Sequence, residues 1–332
     1  MTRYIIRRLL AMIPVMFGIT LIVFVAMRIV PGDPIVVLFG ADVDPVRIDQ
    51  EALRQLRHSY GLDQPIPVQY WTYVTHLASG DFGRSILQHA PVFDLILQRL
   101  PATLELAISA MLIAVVIGIP LGVYVAVRKG SRIDRATLLI ASFLFAAPGF
   151  WIAIMLIILF AVQLHWLPTS GRADLSLYDS LLVIPEQGLA PLLDALKHLI
   201  LPAITLSLGY TAVFVRLTRS TVLEALREDY VRTARAKGLS ERTVRFRHVL
   251  RNAMLPLITA GGLYFAQLLG GTVLIEVVFA WPGVGRLGID ALRFFDYALV
   301  QGVVVLTALL FSFANLAVDL AYAFVDPRIR YS

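Results

Sequence analysis

Residue types that carry catalysis are scarce in this chain and do not fall at catalytic spacings. The sequence has no cysteine, which excludes disulfides, thiolate metal sites and thiol nucleophiles. The patterns G-x-x-x-x-G-K-[ST], H-E-x-x-H and G-x-S-x-G are absent. The histidines show no metal-ligand spacing and lie outside the centres of the apolar runs: His58, His76, His89, His165, His198 and His248. We therefore predict that the chain is not an enzyme and binds no cofactor or metal.

Ionisable side chains inside the long apolar runs are equally few. Asn315 and Asp319 lie one helical turn apart in the last run. An intramembrane carboxylate is a candidate for a role in transport, but it can equally serve as a structural hydrogen-bonding group, and both roles stay open for Asp319. Arg28 and Glu105 fall at the ends of runs, where long side chains reach towards the headgroups. Such a chain has no evident means of coupling transport to an ion gradient.

Six apolar runs are the elements that must position these side chains. The sequence is 58% hydrophobic and 16% charged, whereas a soluble chain has about 25% charged residues. Runs of roughly 18 or more apolar residues predict transmembrane helices, because about 20 helical residues cross the hydrocarbon core. We predict a single all-α integral membrane domain over 1–332, with spans at 9–29, 104–127, 138–164, 199–215, 255–275 and 300–324. Pro148–Gly149 predicts a bend in the third span.

The distribution of basic residues predicts the orientation. Between Arg216 and Arg251 the sequence has ten Lys or Arg residues and four acidic residues. By the positive-inside rule, the segment 216–254 and both termini are cytoplasmic. The long segment 31–103 is then extracytoplasmic and partly folded. We expect the chain to cross a membrane several times.

The segment 216–254 is too ordered in its pattern to be a simple connector. Thr221 and Glu224 predict a capping box at the start of a helix. Gly238 suits the left-handed residue that ends it, and Ser240 can cap a second helix. We expect two short helices at a sharp angle outside the membrane. They would serve either as a basic surface on anionic headgroups or as a docking element for a cytoplasmic partner.

Several stretches, in order along the whole chain, resemble one transporter family. Tyr230-Val-Arg-Thr-Ala-Arg-Ala-Lys-Gly238-Leu-Ser, continuing to Arg251-Asn-Ala-Met-Leu-Pro256, looks like the "EAA" loop of ABC-importer permeases, in the version of dipeptide/oligopeptide permeases. The loop departs from the general consensus, since Arg232, Thr233 and Ala234 occupy the Glu-Ala-Ala positions. The other matching stretches are Pro31-Gly-Asp-Pro34, Tyr60-Gly-Leu-Asp63, Gly80-Asp-Phe-Gly83, Glu276-Val-Val-Phe-Ala-Trp-Pro-Gly-Val-Gly-Arg286 and Asp326-Pro-Arg-Ile-Arg330.

This resemblance implies the type I ABC-importer permease architecture, with a large extracytoplasmic segment after the first span. It also implies that the chain lies in a bacterial cytoplasmic (inner) membrane. It implies that the chain is one of two permease subunits forming a pore for dipeptides or oligopeptides. Nickel or glutathione is the cargo of close relatives. The implied partners are a second homologous permease chain, two cytoplasmic ATPase subunits, an extracytoplasmic substrate-binding protein and membrane lipid, but no nucleic acid. ATP and Mg would be bound by the ATPases.

The resemblance also implies candidate site residues. The predicted ATPase-coupling residues are Arg232, Thr233, Ala234, Arg235, Lys237, Gly238 and Leu239. Trp281 and Arg286 are predicted to contact the binding protein, with a structural lid over the pore mouth as the alternative role of their segment. The predicted pore-lining residues are Thr205, Ser207, Gln267, Thr272, Asn315 and Asp319. Close helix packing is the alternative role for the small and polar faces of the spans.

Two other classes of membrane protein remain as rivals. A stand-alone secondary transporter or channel would be expected to show internal repeats and buried ionisable groups. The sequence has no detectable repeat and few such groups. An intramembrane enzyme would need paired carboxylates, or a catalytic Ser or His, at membrane depth, and the sequence offers none.

Overall fold

The computed structural model describes residues 2–29, 50–59 and 61–325, and the regular secondary structure of those residues is helical. The first helices are α1 (Thr2–Ile29), α2 (Gln50–Ser59), α3 (Ile66–Ala78), α4 (Val92–Val127), α5 (Arg132–Ala146) and α6 (Gly149–Leu156), which continues as a π-helical stretch (Ile157–Gln163). The next are α7 (Leu177–Leu182), α8 (Ile184–Gln187), α9 (Ala190–Ala225), α10 (Asp229–Ala236) and α11 (Glu241–Thr243). A π-helical stretch (Val244–Val249) leads into α12 (Leu250–Gly271), followed by α13 (Val273–Val278), α14 (Val284–Arg293) and α15 (Tyr297–Val325).

The described residues contain five helices that are long and apolar enough to cross a membrane, and the bent pair α5–α6 makes a sixth crossing if it is one span. Helices α4 and α9 are longer than the spans predicted at 104–127 and 199–215. An apolar run marks only the part of a helix that suits hydrocarbon, whereas backbone hydrogen bonding continues into polar turns on either side. The membrane boundaries of the spans stay predictions.

The predicted bend in the third span is confirmed. Helix α5 ends at Ala146 and α6 begins at Gly149, and the two helices are bent by 103°. Pro148 has no backbone N–H with which to continue α5, and it disfavours helical geometry at the residue before it. Ala147 accordingly has extended dihedral angles of −70° and 134°.

The chain divides into two compact units, each made of two separate stretches of sequence. The first unit comprises Met1–Pro101 and Pro282–Ser312, and the second comprises Ala102–Trp281 and Phe313–Ser332. In the first unit, parts of α1, α4, α14 and α15 enclose a core around Val92, Ile96 and Leu299. The core is closely packed because apolar side chains from separate helices interdigitate there.

The second unit is held by apolar and small residues from α4, α6, α9 and α13. Leu106, Phe279 and Trp281 are almost completely buried in its largest cluster. Helices α4 and α9 approach closely where α4 has glycine. A Cβ atom on Gly118 would lie 2.6 Å from Cβ of Phe214, and one on Gly122 would lie 2.5 Å from Cβ of Thr218. Both glycines therefore set the distance between these helices.

Candidate coupling site

The helix α10 carries most of the residues predicted to couple to an ATPase. It starts after Glu228, whose backbone is extended and whose side chain makes no capping hydrogen bond. Asp229 lies in its first turn and Arg235 in its last turn. Asp229 lies near the positive end of the helix dipole and Arg235 near its negative end, so both charges stabilise the helix.

The end of α10 is a Schellman motif, in which two backbone amides turn back to the last carbonyls. The amide of Leu239 donates to Ala234 O at 3.3 Å, and that of Gly238 donates to Arg235 O at 2.9 Å. Gly238 has a φ of +76°, the left-handed conformation that glycine adopts without strain. The prediction that Gly238 is the left-handed residue that ends a helix is confirmed.

Helix α10 rests on an apolar platform that belongs to the second unit. Val231 and Ala234 are buried and pack with Val222 at the end of α9 and with Val244 and Val249 in the π-helical stretch. The chain on either side of α10 therefore lies directly against it. A push on α10 would be transmitted to both flanking helices, because a packed interior has little room to deform.

The outer face of α10 and the turn after it are exposed. The six exposed candidates are Arg232, Thr233, Arg235, Lys237, Gly238 and Leu239. The seventh candidate, Ala234, is only 5% exposed and lies in the platform beneath them. The guanidinium of Arg235 donates from Nε to Glu241 Oε1 at 2.8 Å, and Nε of Arg245 lies 3.5 Å from Oε2 of the same carboxylate. The resulting surface is basic, and the aliphatic side chain of Leu239 is exposed on it.

Two predictions about this segment are wrong. Thr221 does not begin a helix, because α9 runs on to Ala225 and the hydroxyl of Thr221 donates to Leu217 O at 3.0 Å. The second helix is not short. Ser240 caps it as predicted, accepting from the Thr243 amide, but the helical backbone then continues through Pro256 to Gly271.

The two predicted binding-protein contacts differ in exposure. Trp281, in the second unit, is 1% exposed, and its Nε1 donates to Ala102 O at 2.8 Å. Its side chain therefore packs inside the second unit, and both roles proposed for its segment stay predictions. Arg286, in the first unit, is partly exposed, and its Nε lies 3.7 Å from Asp290 Oδ2 one turn along α14.

The predicted pore-lining residues fall into two groups. Thr205, Ser207 and Thr272 are buried. The hydroxyls of Thr205 and Ser207 donate to carbonyls of α9, Leu201 O and Ile204 O, while that of Thr272 donates to Glu276 Oε1. Gln267 is exposed and Asn315 is partly exposed. Asp319 lies within α15, and its side chain lies outside what the structure describes.

Two partly buried ion pairs in the second unit were not predicted. Arg219 donates from Nε and Nη2 to the Asp134 carboxylate at 2.6 and 2.8 Å, and the Gly130 amide donates to the same carboxylate. Glu105 does not reach towards headgroups as expected. Its carboxylate accepts from Arg172 Nε at 2.8 Å and from the Leu177 amide at 2.6 Å. The partners lie 85 and 67 residues apart, so no sequence spacing connects them.

Among the described residues, no group of three His, Asp or Glu side chains could hold a metal ion.

Comparison with known proteins decides the family. The family model described as the inner membrane component of binding-protein-dependent transport systems matches residues 118–331, and the model of the N-terminal part of such components matches residues 1–107. The chain belongs to this family. It is a multi-pass inner-membrane permease subunit, and in such systems ATP hydrolysis belongs to separate ATPase subunits.

Curated relatives match along their full length. The chain is 44% identical to the di/tripeptide transport system permease protein DppB of Pseudomonas aeruginosa (strain UCBPP-PA14), covering 100% of this chain and 99% of the relative. It is 43% identical to the dipeptide transport system permease protein DppB of Escherichia coli (strain K12), with 100% and 99% covered. It is 39% identical to the glutathione transport system permease protein GsiC of the same strain, with 100% of each chain covered.

A solved structure supports the fold of this permease. The structure titled as an inward-facing conformation of the MetNI methionine ABC transporter superposes with a TM-score of 0.51 at 18% identity, covering 70% of this chain and 97% of that chain. The predicted all-α ABC-importer permease fold is confirmed.

Proposed function

We propose that this permease is one half of the pore of an ATP-driven importer for dipeptides or oligopeptides delivered by an extracytoplasmic binding protein. The observation that carries the proposal is full-length identity of 44% and 43% to permeases named for di/tripeptides and dipeptides. Glutathione, itself a small peptide, is a second candidate because of the 39% identity to a glutathione permease. Nickel, which the family resemblance also allows, is the remaining candidate substrate.

The partners we propose are a second homologous permease chain, two ATPases that bind ATP and Mg, and the binding protein. The exposed residues of α10 and its turn dock into a cleft of one ATPase. Arg232 and Lys237 then pair with acidic residues on the cleft rim, and Leu239 makes the apolar contact. Charge complementarity of this kind fixes orientation and rate of association more than affinity.

The coupling mechanism follows from the packing of α10. ATP binding closes the ATPase dimer and moves the docked helices of both permeases. Since α10 is packed against the end of α9 and the start of the α11–α12 helix, the movement passes to two membrane-crossing helices. The pore then shifts between inward-facing and outward-facing populations, driven by the different contacts that the ATPases make in each state.

The orientation and the outer contacts complete the proposal. We place both termini and the segment 216–254 in the cytoplasm, in keeping with the excess of basic residues there. The binding protein contacts the α14 region, where Arg286 is partly exposed. We assign Trp281, which is buried within the second unit, a structural role. Gln267, Asn315 and Asp319 remain the candidates for the pathway wall, since the hydroxyls of the other three already bond within the chain.

Affinity purification from the native host tests the assembly. The tagged chain, extracted in several mild detergents, is expected to retain a second permease and one or two ATPases. The complex is then reconstituted in liposomes with ATP inside and the co-encoded binding protein outside, and uptake of labelled dipeptide, glutathione and nickel is compared. ATP-dependent dipeptide uptake supports the proposal. Uptake of glutathione or nickel, without uptake of dipeptide, would show that the proposed substrate is wrong. A chain that purifies without a second permease or an ATPase would favour a secondary carrier.

A further inference from the structure

The first unit contains a cavity that the proposed coupling mechanism does not use. Its volume is about 440 Å³, which is within the range of small-molecule sites. Its lining comes from the ends of α1 and α2, from residues between α2 and α3, from helix α3 and the loop after it, and from the start of α15. All of these belong to the same compact unit.

The main cation of the cavity is Arg28, near the end of α1. Its Nε and Nη2 donate to Gln69 Oε1 at 3.2 and 2.6 Å, its Nη1 donates to Phe24 O at 3.3 Å, and the guanidinium lies 3.4 Å from the centre of the Phe24 ring. These bonds use three of its five N–H donors. Within the part of the chain that the structure describes, no carboxylate lies within ion-pair distance of it.

Arg28 is partly buried, and no counter-ion for it lies among the described residues. An unpaired charge is costly to bury, so we expect the described lining to favour an anion. The other charged lining groups do not remove this preference. Asp81 accepts the Gly83 amide at 2.8 Å, and Arg84 is a second cation, which donates to His89 O. His58 at the rim is hydrogen-bonded to Asp63, and the exposed His76 adds no negative charge.

The rest of the lining combines polar groups with an apolar wall. Gln301 is 6% exposed, and the buried hydroxyl of Tyr73 has no hydrogen-bond partner among the described residues. Phe82 and Ile86 supply apolar surface. A few convergent polar groups on an otherwise apolar wall are what a small-molecule site provides.

We propose that this cavity binds the free carboxylate of a dipeptide-sized ligand, with Arg28 as its ion-pair partner and the wall of Phe82 and Ile86 against its side chain. The cavity volume favours a dipeptide-sized ligand over an acidic side chain of a protein partner, because a single side chain would leave most of the cavity empty. In its choice of a peptide the inference rests on the proposed function, and it adds a recognition site on the permease itself.

Binding of matched probes to the full-length chain tests this site. The chain is reconstituted in phosphatidylcholine nanodiscs without binding protein or ATPase, and binding of alanyl-phenylalanine and of alanyl-phenylalaninamide is measured by equilibrium dialysis. We expect the acid to bind at least tenfold more tightly than the amide, because charge-assisted hydrogen bonds are roughly twice as strong as neutral ones. Arg28→Gln should bring the acid to the affinity of the amide. Arg99→Gln, which removes an exposed arginine of α4 outside the cavity, should leave both affinities unchanged.

Equal binding of acid and amide to the unaltered chain, or no binding of either, overturns the proposal. So does full acid affinity in a folded Arg28→Gln variant. The comparison of the two probes needs no variant, so a variant that fails to fold does not weaken the test. This binding assay contains no binding protein or ATPase, so it is independent of the uptake assay on the complete complex. Peptide uptake by the complex, together with no probe binding by the chain alone, would overturn the cavity proposal only. Preferred binding of the acid by the chain, together with no peptide uptake by the complex, would overturn the proposed function only.

Discussion

Single residues in this permease act mainly through buried carboxylates and their partners. Glu276 is fully buried, and its Oε1 accepts from the hydroxyls of Thr103 and Thr272 at 2.8 and 2.9 Å. Asp296, at the start of α15, accepts from the Ser85 hydroxyl and from the Leu299 amide. Such groups are costly to bury unless they are hydrogen-bonded, so each one pins the segments that satisfy it.

The Asp134–Arg219 pair should be a strong contributor to the stability of the second unit. Asp134→Asn leaves a largely buried guanidinium without its counter-ion, and we expect a loss of about 1–3 kcal/mol, reduced from the value for fully buried pairs because Arg219 keeps some solvent contact. Thermal unfolding of the purified chain in detergent measures it. Glu241→Gln removes a half-exposed pair with Arg235 and should shift the melting temperature much less. Equal shifts in the two variants would contradict the prediction.

The exposed pair His58–Asp63 should show its own pH dependence. A hydrogen bond of 2.7 Å to the Asp63 carboxylate raises the pKa of His58 above its ordinary value, and the same bond lowers the pKa of Asp63. The pair is therefore lost as pH rises through the raised pKa of His58, and again as pH falls through the lowered pKa of Asp63. Histidine signals in an NMR titration should show a lower pKa for His58 in Asp63→Asn. Asp81→Asn serves as the control, and a His58 pKa that is the same in both variants would refute the assignment.

At the scale of elements, glycine and proline place the helices. Pro148 bends the third span, and Gly118 and Gly122 allow α4 to lie close to α9. Without a hydrophobic driving force between spans in lipid, such close contacts are a main source of helix association. The position of α10 depends on this frame, because Val222 at the end of α9 and Ala126 in α4 belong to its platform.

Gly122→Val should separate α4 from α9. The added side chain would meet the backbone oxygen of Val215, 2.8 Å from the new Cβ, as well as Thr218. Overpacking of this kind costs about 1–3 kcal/mol. Gly209→Val is the matched control, since no atom lies within 4 Å of its added Cβ. The melting temperatures of the two variants are compared in detergent. Similar decreases would show that the close α4–α9 contact at Gly122 does not contribute specifically to stability.

Gly238→Val should uncouple ATP hydrolysis from transport. Valine is strained at a φ of +76°, so the turn after α10 would open and misplace Leu239. Peptide uptake by the reconstituted complex should fall several-fold while ATPase activity persists. Gly238→Asn should keep most of the uptake, because asparagine tolerates this conformation. Wild-type uptake with valine would exclude a role for this turn in coupling.

At the scale of the whole molecule, the absence of cysteine allows a direct test of orientation. Ser79→Cys lies at the exposed end of α3, and Arg227→Cys lies in the exposed turn before α10. An impermeant thiol reagent should label Cys at 79 in intact cells and Cys at 227 only in inverted vesicles. The reverse pattern would place the termini and α10 on the outer side of the membrane.

Local signals in the sequence suffice to predict much of the secondary structure of this permease. Apolar runs locate the membrane-crossing helices, Pro148 predicts the bend and Gly238 predicts the left-handed residue, because each signal acts over a single turn or span. The capping box at Thr221 failed, since tertiary packing extends α9 past a local stop signal. The same packing makes α11 continuous with α12.

Burial and long-range pairing lie beyond the reach of such signals. Ala234 and its exposed neighbour Arg235 are adjacent in the predicted coupling set, yet only the packing of α10 against its platform separates a structural residue from a surface residue. The Asp134–Arg219 pair joins positions 85 residues apart. Hydropathy and turn chemistry are properties of neighbours along the chain, whereas the satisfaction of a buried charge depends on which distant segment packs beside it.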